Sequence, residues 1–261
     1  RMIIPHGDDY LLPHDNTFFV GASGEIEKFS KHFVGTGIKA PERVMIIGAG
    51  RTGRTLAKML DKQGVQVKVI EKDAERSRMV AERIEEGIVV RGDGTDIDLL
   101  TQEGVGEADV VICLTADDKL NLMLALLAKH LGASRTIVRV ARIEYVDLME
   151  KVGVDIVLSS RLLAAGEILA FARRGGVVSV ALLEGAKAEA MEVIVQKGSY
   201  VENKKLMDLQ LPKECLICAF VRDDEAFVPT GQSSLQAGDR AILFIRMEFA
   251  NKVMKYFAGK A

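Results

Sequence analysis

Apolar and polar positions along residues 43–152 follow a repeating order, in which short apolar runs alternate with longer amphipathic segments. The apolar runs predict buried strands, and the segments between them show the three- and four-residue apolar spacing of helices. The predicted strands are Val44–Ile47, Val65–Ile70, Ile88–Arg91, Asp109–Leu114 and Thr136–Val140, and the predicted helices are Thr52–Lys62, Ala74–Glu86, Asp96–Glu103, Asp118–Leu131 and Tyr145–Val152. Strands that alternate with helices in this way form a parallel sheet covered on both faces. We therefore predict a doubly wound α/β domain.

The pattern changes after residue 158. Ser159–Arg174 has helical spacing, with an apolar stripe from Leu162, Leu163, Ile168, Leu169 and Phe171, and Gly175-Gly176 ends it. Four further apolar runs with turns between them follow: Val177–Leu183, Met191–Val195, Leu216–Val221 and Ala241–Ile245. The last segment with helical spacing is Phe249–Phe257. We expect a second, small domain that is rich in β-structure.

Residues 48–53 read G-A-G-R-T-G, between the first predicted strand and the first predicted helix. In this context Gly48 permits the tight turn, Gly50 lets a pyrophosphate approach the backbone and Gly53 lets the helix pack on the strand. The helix amides attract an anion, and Arg51 adds a full charge. Glu71 ends the second strand, where a carboxylate binds ribose hydroxyls and repels a 2′-phosphate, which favours NAD(H). The alternative is a glycine turn that only packs, beside a solvated Glu.

Other polar residues follow strands at the same edge of the predicted sheet. Asp93 either contacts an adenosine or caps the next helix. The segment Thr115-Ala116-Asp117 follows the fourth strand on the phosphate side, and Asp117 or Asp118 is either an N-cap or a contact. Arg139 places a charge in a buried strand, which is costly, so it either reaches the ligand or pairs with an acid; we favour a functional role.

Composition narrows the range of functions. The chain has 35 Lys and Arg against 37 Asp and Glu, which excludes the strongly basic surface of a nucleic-acid-binding protein. No apolar run approaches the length needed to cross a bilayer, so we expect no direct membrane insertion. Three cysteines (Cys113, Cys215, Cys218) favour a reducing compartment, and the C-x-x-C spacing of the last two lies in an apolar run, which favours a core role over a redox role. The four histidines show no ligand spacing, and we predict no metal.

Residues 1–33 resemble residues 225–257 at a constant offset of 224. The identical pairs are Pro5/Pro229, Gly7/Gly231, Leu11/Leu235, Asp15/Asp239, Lys31/Lys255 and Phe33/Phe257. A gapless match at one offset is the signature of an internal repeat. We therefore expect residues 1–36 to be the tail of an upstream copy of the small domain, and the chain to be part of a longer tandem protein.

The sequence lacks the parts of a dehydrogenase. Such an enzyme needs a positioned acid or base beside the nicotinamide, and the small domain contains no His and no evident pair of catalytic groups. A bound dinucleotide without chemistry indicates a sensor, so we predict no catalytic residue.

Several stretches together resemble the RCK (regulator of potassium conductance) family. They are V-M-I-I-G-A-G-R-T-G, V-I-E-K-D-A-E-R, V-R-G-D-G-T-D, A-D-V-V-I-C-L-T-A-D-D-K-L-N and P-T-G-Q-S-S-L-Q-A-G-D-R-A-I-L-F. The resemblance implies a Rossmann-like domain of six parallel strands over residues 42–158, a crossover helix over 159–175, and a small α+β RCK C-terminal domain over 176–261. The duplicated arrangement is similar to that of the peripheral regulatory subunits of potassium-uptake systems.

The resemblance also implies a ligand and partners. NAD(H), or ATP or ADP in the same groove, would be held by Gly48, Gly50, Arg51, Thr52, Gly53, Glu71, Thr115 and Arg139, and to these we add Ala49, Asp93 and Ala116. The chain would pair through the stripe of the crossover helix, unless that stripe packs within its own chain, and pairs would assemble into a ring. The partner would be a membrane-embedded potassium transporter subunit, at the cytoplasmic face of the membrane. The alternatives are an NAD-dependent oxidoreductase and the gating domain of a potassium channel.

Overall fold

A computed structural model of the chain describes residues 3–5, 8–13, 15, 17–21, 24–26, 28–29, 40–173, 176–183 and 187–259. The chain divides into two compact units. One is Lys39–Arg161, and the other combines Leu162–Ala261 with Arg1–Ile38.

The first unit contains a six-stranded sheet in which every strand is parallel to its neighbours. Its strands are β1 Arg43–Ile47, β2 Gln66–Glu71, β3 Ile88–Arg91, β4 Val110–Cys113, β5 Thr136–Val140 and β6 Ile156–Ser159, in the order β3-β2-β1-β4-β5-β6. This is the strand order of the Rossmann fold, so the predicted fold class is confirmed. The order reverses between β1 and β4, and a crevice forms there at the carboxyl ends of the strands.

Helices cover both faces of this sheet. They are α1 Arg51–Lys62, α2 Ala74–Ala81, α3 Ile97–Gln102, α4 Asp118–His130 and α5 Val146–Val152. Successive residues of β1 serve two separate cores: Val44 and Ile46 belong to one, and Met45 and Ile47 to the other. All four are buried, because a parallel strand with helices on both sides has no solvent face.

Helix α2 ends five residues before the predicted boundary at Glu86, at Ala81. The reason is the carboxylate of Asp61, which accepts the backbone N–H groups of Glu85, Glu86 and Gly87 at 2.7–3.2 Å. These amides hold the pKa of Asp61 below its usual value. The Asp61 side chain of α1 thus accepts hydrogen bonds from the backbone N–H groups that a longer α2 would have used within the helix.

The second unit begins within a helix and continues as an antiparallel sheet. Helix α6, Ser160–Ala172, leads to β7 Val177–Leu183, β8 Ala188–Ile194, β9 Cys215–Arg222, β10 Glu225–Phe227 and β11 Arg240–Arg246, and α7, Ala250–Phe257, closes the unit. The sheet order is β10-β9-β11-β8-β7. This arrangement is the small α+β domain that the sequence predicted.

Helix α6 packs on this sheet by one face only. A Cβ at Gly166 would lie 2.5 Å from the carbonyl oxygen of Val180, so the helix touches β7 there. At its end, Arg173 makes a two-pronged ion pair with the buried Glu189 of β8. Leu163, Ile168 and Phe171 of the predicted stripe are instead 63%, 66% and 75% exposed. These three side chains are therefore largely exposed in the described part of the chain, and Gly175 lies outside the described residues.

The cysteines of the C-x-x-C spacing belong to the small sheet. Cys215 packs against its apolar core, and Cys218 falls where the register of β9 on β11 shifts. Burial raises the pKa of Cys215 to about 12 and that of Cys218 to about 11. Thiols that stay protonated at neutral pH are poor nucleophiles, which favours the core role.

The turn at Leu12–Asp15 has the same hydrogen bond as a turn of the small domain at Gln236–Asp239. The Asp15 carboxylate accepts the N–H of Leu12 at 2.8 Å, and the Asp239 carboxylate accepts the N–H of Gln236 at 2.7 Å. The two turns are separated by the offset of 224 residues on which the repeat was predicted. Among the other matched positions of residues 1–33, three lie outside the described residues: Gly7, Lys31 and Phe33.

The turn at Asp239 generates a prediction for acid stability. Although burial alone would raise the pKa of Asp239, bonds from Arg222 (2.6 and 2.8 Å) and Gln236 hold it below its ordinary 3.8. A lowered folded-state pKa stabilises the fold above the ordinary value, and this stabilisation is lost as the pH falls through the folded-state value. Asp239→Asn should therefore lower the free energy of unfolding by about 2 kcal/mol at neutral pH.

Chemical denaturation of both proteins across pH would measure this effect. The gap between wild type and Asp239→Asn should shrink as the pH falls below 3.8. A gap that stays constant down to the acid transition would contradict the role assigned to the Asp239 carboxylate.

Candidate nucleotide-binding site

A groove of about 450 Å³ lies at the switch point between β1 and β4. Nine of the predicted site residues line it: Gly48, Gly50, Arg51, Thr52, Glu71, Asp93, Thr115, Ala116 and Arg139. The structure therefore brings together residues that are up to 91 positions apart in sequence (139 − 48). Ala49 and Gly53 belong to the glycine loop but do not line the groove, and Ala49 is fully buried.

The three glycines of the loop have three different surroundings. Gly48 has a φ of +105°, and a Cβ on it would lie 3.0 Å from the backbone of Leu114 and Thr115. A Cβ on Gly53 would lie 2.0 Å from the carbonyl oxygen of Gly48. A Cβ on Gly50 would meet nothing within 4 Å, so this residue faces open space in the groove. Gly48 and Gly53 are thus required by the fold, and Gly50 is not.

Helix α1 begins at this loop without a side-chain cap. Its N-cap is Gly50, whereas α2, α3 and α4 begin at Asp73, Asp96 and Asp117, whose carboxylates accept the first amides of each helix. The first amides of α1 therefore keep their hydrogen-bonding capacity for a group in the groove. A helix start with uncapped N–H groups carries partial positive charge and suits a phosphate.

Glu71 is buried at the end of β2, and its carboxylate holds two backbone segments. One oxygen accepts the N–H of Ala49 at 2.7 Å, and the other accepts the N–H of Asp73 at 3.0 Å. Each carboxylate oxygen has a second acceptor position, which can take a ribose hydroxyl. Glu71 is thus both a support of the glycine loop and a candidate ligand.

Hydrogen bonds show which of the aspartates that follow β3 and β4 cap the next helix. Asp93 does not cap α3, because Asp96 does so; Asp93 accepts the N–H and the hydroxyl of Thr95. These bonds, the backbone one first, hold the pKa of Asp93 below its usual value. Asp117 caps α4, and its pKa is lowered by the amides of Leu120 and Lys119.

The carboxylate of Asp118 is occupied as well. It accepts the N–H groups of Ala141 and Arg142 at 2.9–3.1 Å, which holds the chain after β5 against the start of α4. Asp118 is therefore neither an N-cap nor a lining residue of the groove. Its carboxylate connects the start of α4 to the chain after β5.

Arg139 lies at the end of β5 and donates one guanidinium N–H to the carbonyl oxygen of Thr115 at 3.1 Å. Of the two predicted alternatives, pairing with an acid is not seen: none of the ion pairs among the described residues includes it. Its side chain is half-buried and lines the groove.

Sequence reasoning missed two residues of this region. Asn121 is fully buried in α4 and bonds to Thr115 and Arg139, and the available signal was an amide on the same helix face as Leu124, Ala125 and Ala128. Arg76, in the first turn of α2, lines the groove together with Lys72. The groove rim therefore carries four cationic side chains, those of Arg51, Lys72, Arg76 and Arg139.

A larger cavity of about 570 Å³ lies at the opposite edge of the same sheet. Four of its charged side chains form ion pairs: Lys68 pairs with Glu103 at 2.9 Å, and Arg43 pairs with Glu107 at 3.1 Å. Since the amino ends of the strands offer no uncapped helix start, the smaller groove is the better candidate site. Over the part of the chain that the structure describes, no His, Cys, Asp and Glu side chains cluster as a metal site would require, and no helix could span a membrane.

The fold and the groove together define a class of protein: a Rossmann-like domain with a dinucleotide-type glycine loop, joined by a helix to a small antiparallel domain. Comparison with known families agrees with this class. Residues 44–160 match the TrkA-N domain and residues 190–258 match the TrkA-C domain. The two matches together cover well over half of the chain, which belongs to the TrkA family.

Curated relatives of this chain are named for potassium uptake. The Trk system potassium uptake protein TrkA homolog 1 of Methanosarcina mazei is 36% identical over 258 residues, which are 98% of this chain and 57% of that protein. The Trk system potassium uptake protein TrkA of Vibrio alginolyticus is 33% identical over 249 residues, 94% of this chain and 54% of that protein. The chain thus spans a little over half the length of the curated relatives it matches.

Solved structures share the fold. The GsuK channel matches with a TM-score of 0.57 at 19% identity, covering 85% of this chain and 40% of that one. The GsuK RCK domain matches with a TM-score of 0.53 at 19% identity, covering 85% of this chain and 49% of that one.

The glycine geometry generates a matched pair of substitutions. Gly53→Ala should lower the free energy of unfolding by about 3 kcal/mol, because its Cβ cannot share space with the Gly48 carbonyl. Gly50→Ala should change it by less than about 1 kcal/mol, because residue 50 has an ordinary backbone conformation and an open surrounding. Urea denaturation would measure both, and equal losses in the two variants would contradict the distinction.

Proposed function

We propose that this chain is a nucleotide-sensing regulatory module of a Trk-type potassium-uptake system, and that it binds NAD(H), ATP or ADP in the groove between β1 and β4. The observation that carries the proposal is the uncapped start of α1 at an open Gly50, which faces a groove with a buried carboxylate at Glu71 and a cationic rim. Membership of the TrkA family supports the link to potassium uptake.

Each site residue has a proposed part. The amides of Gly50, Arg51 and Thr52 bind the phosphates, and the Arg51 side chain neutralises them. Glu71 accepts from the adenosine ribose, and Asp93 lies beside it. Gly48 and Gly53 shape the loop, and Ala49 ties it to Glu71. Thr115, Ala116 and Arg139 meet the part of the ligand that extends past the glycine loop.

The proposed module is a regulator and not an enzyme. The described residues that line the groove include no His, Cys, Ser or Tyr, and the carboxylates of Asp93 and Asp117 are held by backbone amides. A bound nucleotide would act by its different affinity for two arrangements of the protein, which is how a ligand shifts a conformational equilibrium.

The proposed partners follow from the exposed stripe and from the family. Leu163, Ile168 and Phe171 of α6 would pack on a second copy, and pairs would build a ring. The ring would bind a membrane-embedded transporter subunit of the TrkH/TrkG type, peripherally on the cytoplasmic face of the inner membrane. Residues 1–36 would be the end of a preceding small domain, 42–158 the nucleotide domain, 159–175 the crossover helix and 176–261 the RCK C-terminal domain.

Two other functions remain as candidates. An NAD-dependent oxidoreductase would show turnover at the nicotinamide absorbance with some member of a substrate panel, and we expect none. The likeness to the GsuK channel concerns the fold, and gating of a channel instead of a transporter is distinguished by the gene: a pore-forming segment beside this region favours the channel.

A binding experiment tests the proposal. Calorimetric titration with NAD, NADH, ATP and ADP should show binding of at least one of them, and Glu71→Ala should weaken it about tenfold, because ribose hydroxyls lose their acceptor. NADPH should bind the wild type more weakly than NADH does, and Glu71→Ala should reduce this discrimination because the repelling charge is gone. No binding by any of the ligands would contradict the proposed function.

Glu85→Ala is the matched control. Glu85 is an exposed glutamate near the opposite edge of the sheet, whose N–H is bonded to Asp61 and whose side chain does not line the groove. This variant should bind with wild-type affinity. If Glu85→Ala and Glu71→Ala weakened binding equally, the effect would not come from the groove.

A further inference from the structure

Asn121 is the most completely bonded polar side chain near the groove. An asparagine amide has two acceptor and two donor positions, and burying it is costly unless they are filled. Its Oδ1 accepts from the N–H and the hydroxyl of Thr115 at 2.9 and 2.6 Å, and its Nδ2 donates to the carbonyl oxygens of Thr115 and Arg139 at 3.2 and 3.0 Å. All four positions are filled, although the residue lies in an otherwise apolar helix face.

These bonds join β4 and β5 at the point where the two strands separate. The last paired residues of the two strands are Cys113 and Val138. Asn121 bridges the chain just beyond them, where no backbone ladder continues. The side chain thus fixes the loop after β4 relative to the end of β5, and this loop forms one wall of the groove.

The same bonds fix the guanidinium of Arg139. The carbonyl oxygen of Thr115 accepts from Asn121 Nδ2 and also from the Arg139 guanidinium at 3.1 Å. No second acceptor for this guanidinium is present among the described residues. Its position in the groove therefore depends on a carbonyl that Asn121 holds.

The sequence led us to expect Thr115 to hold the nucleotide, but its hydroxyl is bonded within the protein. Its hydroxyl is 2.6 Å from Asn121 Oδ1. Because Oδ1 cannot donate, the Thr115 hydroxyl is the donor of this hydrogen bond. The hydroxyl can still accept, but it cannot donate to a ligand. The wall after β4 therefore offers the ligand the cation of Arg139 in place of the Thr115 hydroxyl.

We propose that Asn121 is a positioning residue of the nucleotide groove, which holds Thr115 so that Arg139 meets the part of the ligand beyond the first phosphate. This inference rests on the proposed nucleotide binding. Glu71 is the last residue of β2 and Arg139 is the last but one of β5, and these two strands lie on opposite sides of β1 in the sheet. We therefore expect a ligand anchored at Glu71 that ends at one phosphate to stop short of Arg139, and a longer ligand to reach it.

The test measures affinity for ligands of different length. Asn121→Ala should weaken binding of NADH and ATP about tenfold and binding of AMP less than threefold, since only the longer ligands use Arg139. In a double-mutant cycle, Asn121→Ala should add little to the loss already caused by Arg139→Ala, because the two substitutions remove one interaction. A role in stability alone would produce neither the ligand order nor this non-additivity.

Thr136→Val is the matched structural control. Thr136 is also fully buried, at the other end of β5, where its N–H and hydroxyl bond to the Asp155 carboxylate at 2.8 and 2.9 Å. This variant should lower the melting temperature and leave all three affinities unchanged. If Asn121→Ala does not fold, Asn121→Asp keeps the side-chain shape and both acceptors but removes the two donors, and it should show the same ligand order.

The outcomes separate the two proposals. If the wild type binds none of the nucleotides, the proposed function fails and this inference fails with it. If the wild type binds and the folded Asn121 variant matches it for NADH and ATP, loses AMP equally, or adds fully to Arg139→Ala, the positioning role alone is overturned.

Discussion

The contact between Gly53 and the carbonyl oxygen of Gly48 is the constraint on which the nucleotide domain depends. It leaves no room for a side chain at residue 53, so α1 starts directly against the end of β1. Because β1 lies between β2 and β4, this start is placed at the one point where the sheet order reverses. The first amides of α1 consequently face the crevice, and the remaining groove residues are arranged around them.

The walls of the groove are held in place by polar side chains whose hydrogen bonds connect elements of the fold. Glu71 ties the glycine loop to the start of α2, Asp118 ties the chain after β5 to α4, and Asn121 ties β4 to β5. The four rim cations, Arg51, Lys72, Arg76 and Arg139, take part in none of the ion pairs formed among the described residues. Such a division suits ligand binding, since walls already fixed lose little freedom when a charged ligand arrives.

The sequence predicted those features that depend on local rules. Apolar runs identified five of the six strands of the first sheet, and the glycine spacing identified the turn, because both patterns lie in residues that are close together in sequence. The sixth strand did not stand out by its residues, because β6 is at the sheet edge and alternates buried with exposed positions. The end of α2 and the role of Asn121 could not be predicted, since each depends on a partner at least 18 residues away in sequence.

The arrangement also explains how one groove could accept both NAD(H) and adenine nucleotides under the proposed function. The two kinds of ligand share an adenosine and a first phosphate, which under this proposal would bind the side of the groove made by Glu71 and the α1 amides. They differ beyond that point, where the wall is made by Thr115 and Arg139. A sensor must distinguish ligands by binding free energy, because a ligand with equal affinity for two states shifts nothing. Discrimination between the ligands would therefore arise at the α4 side of the groove, while Glu71 would supply the affinity that they have in common.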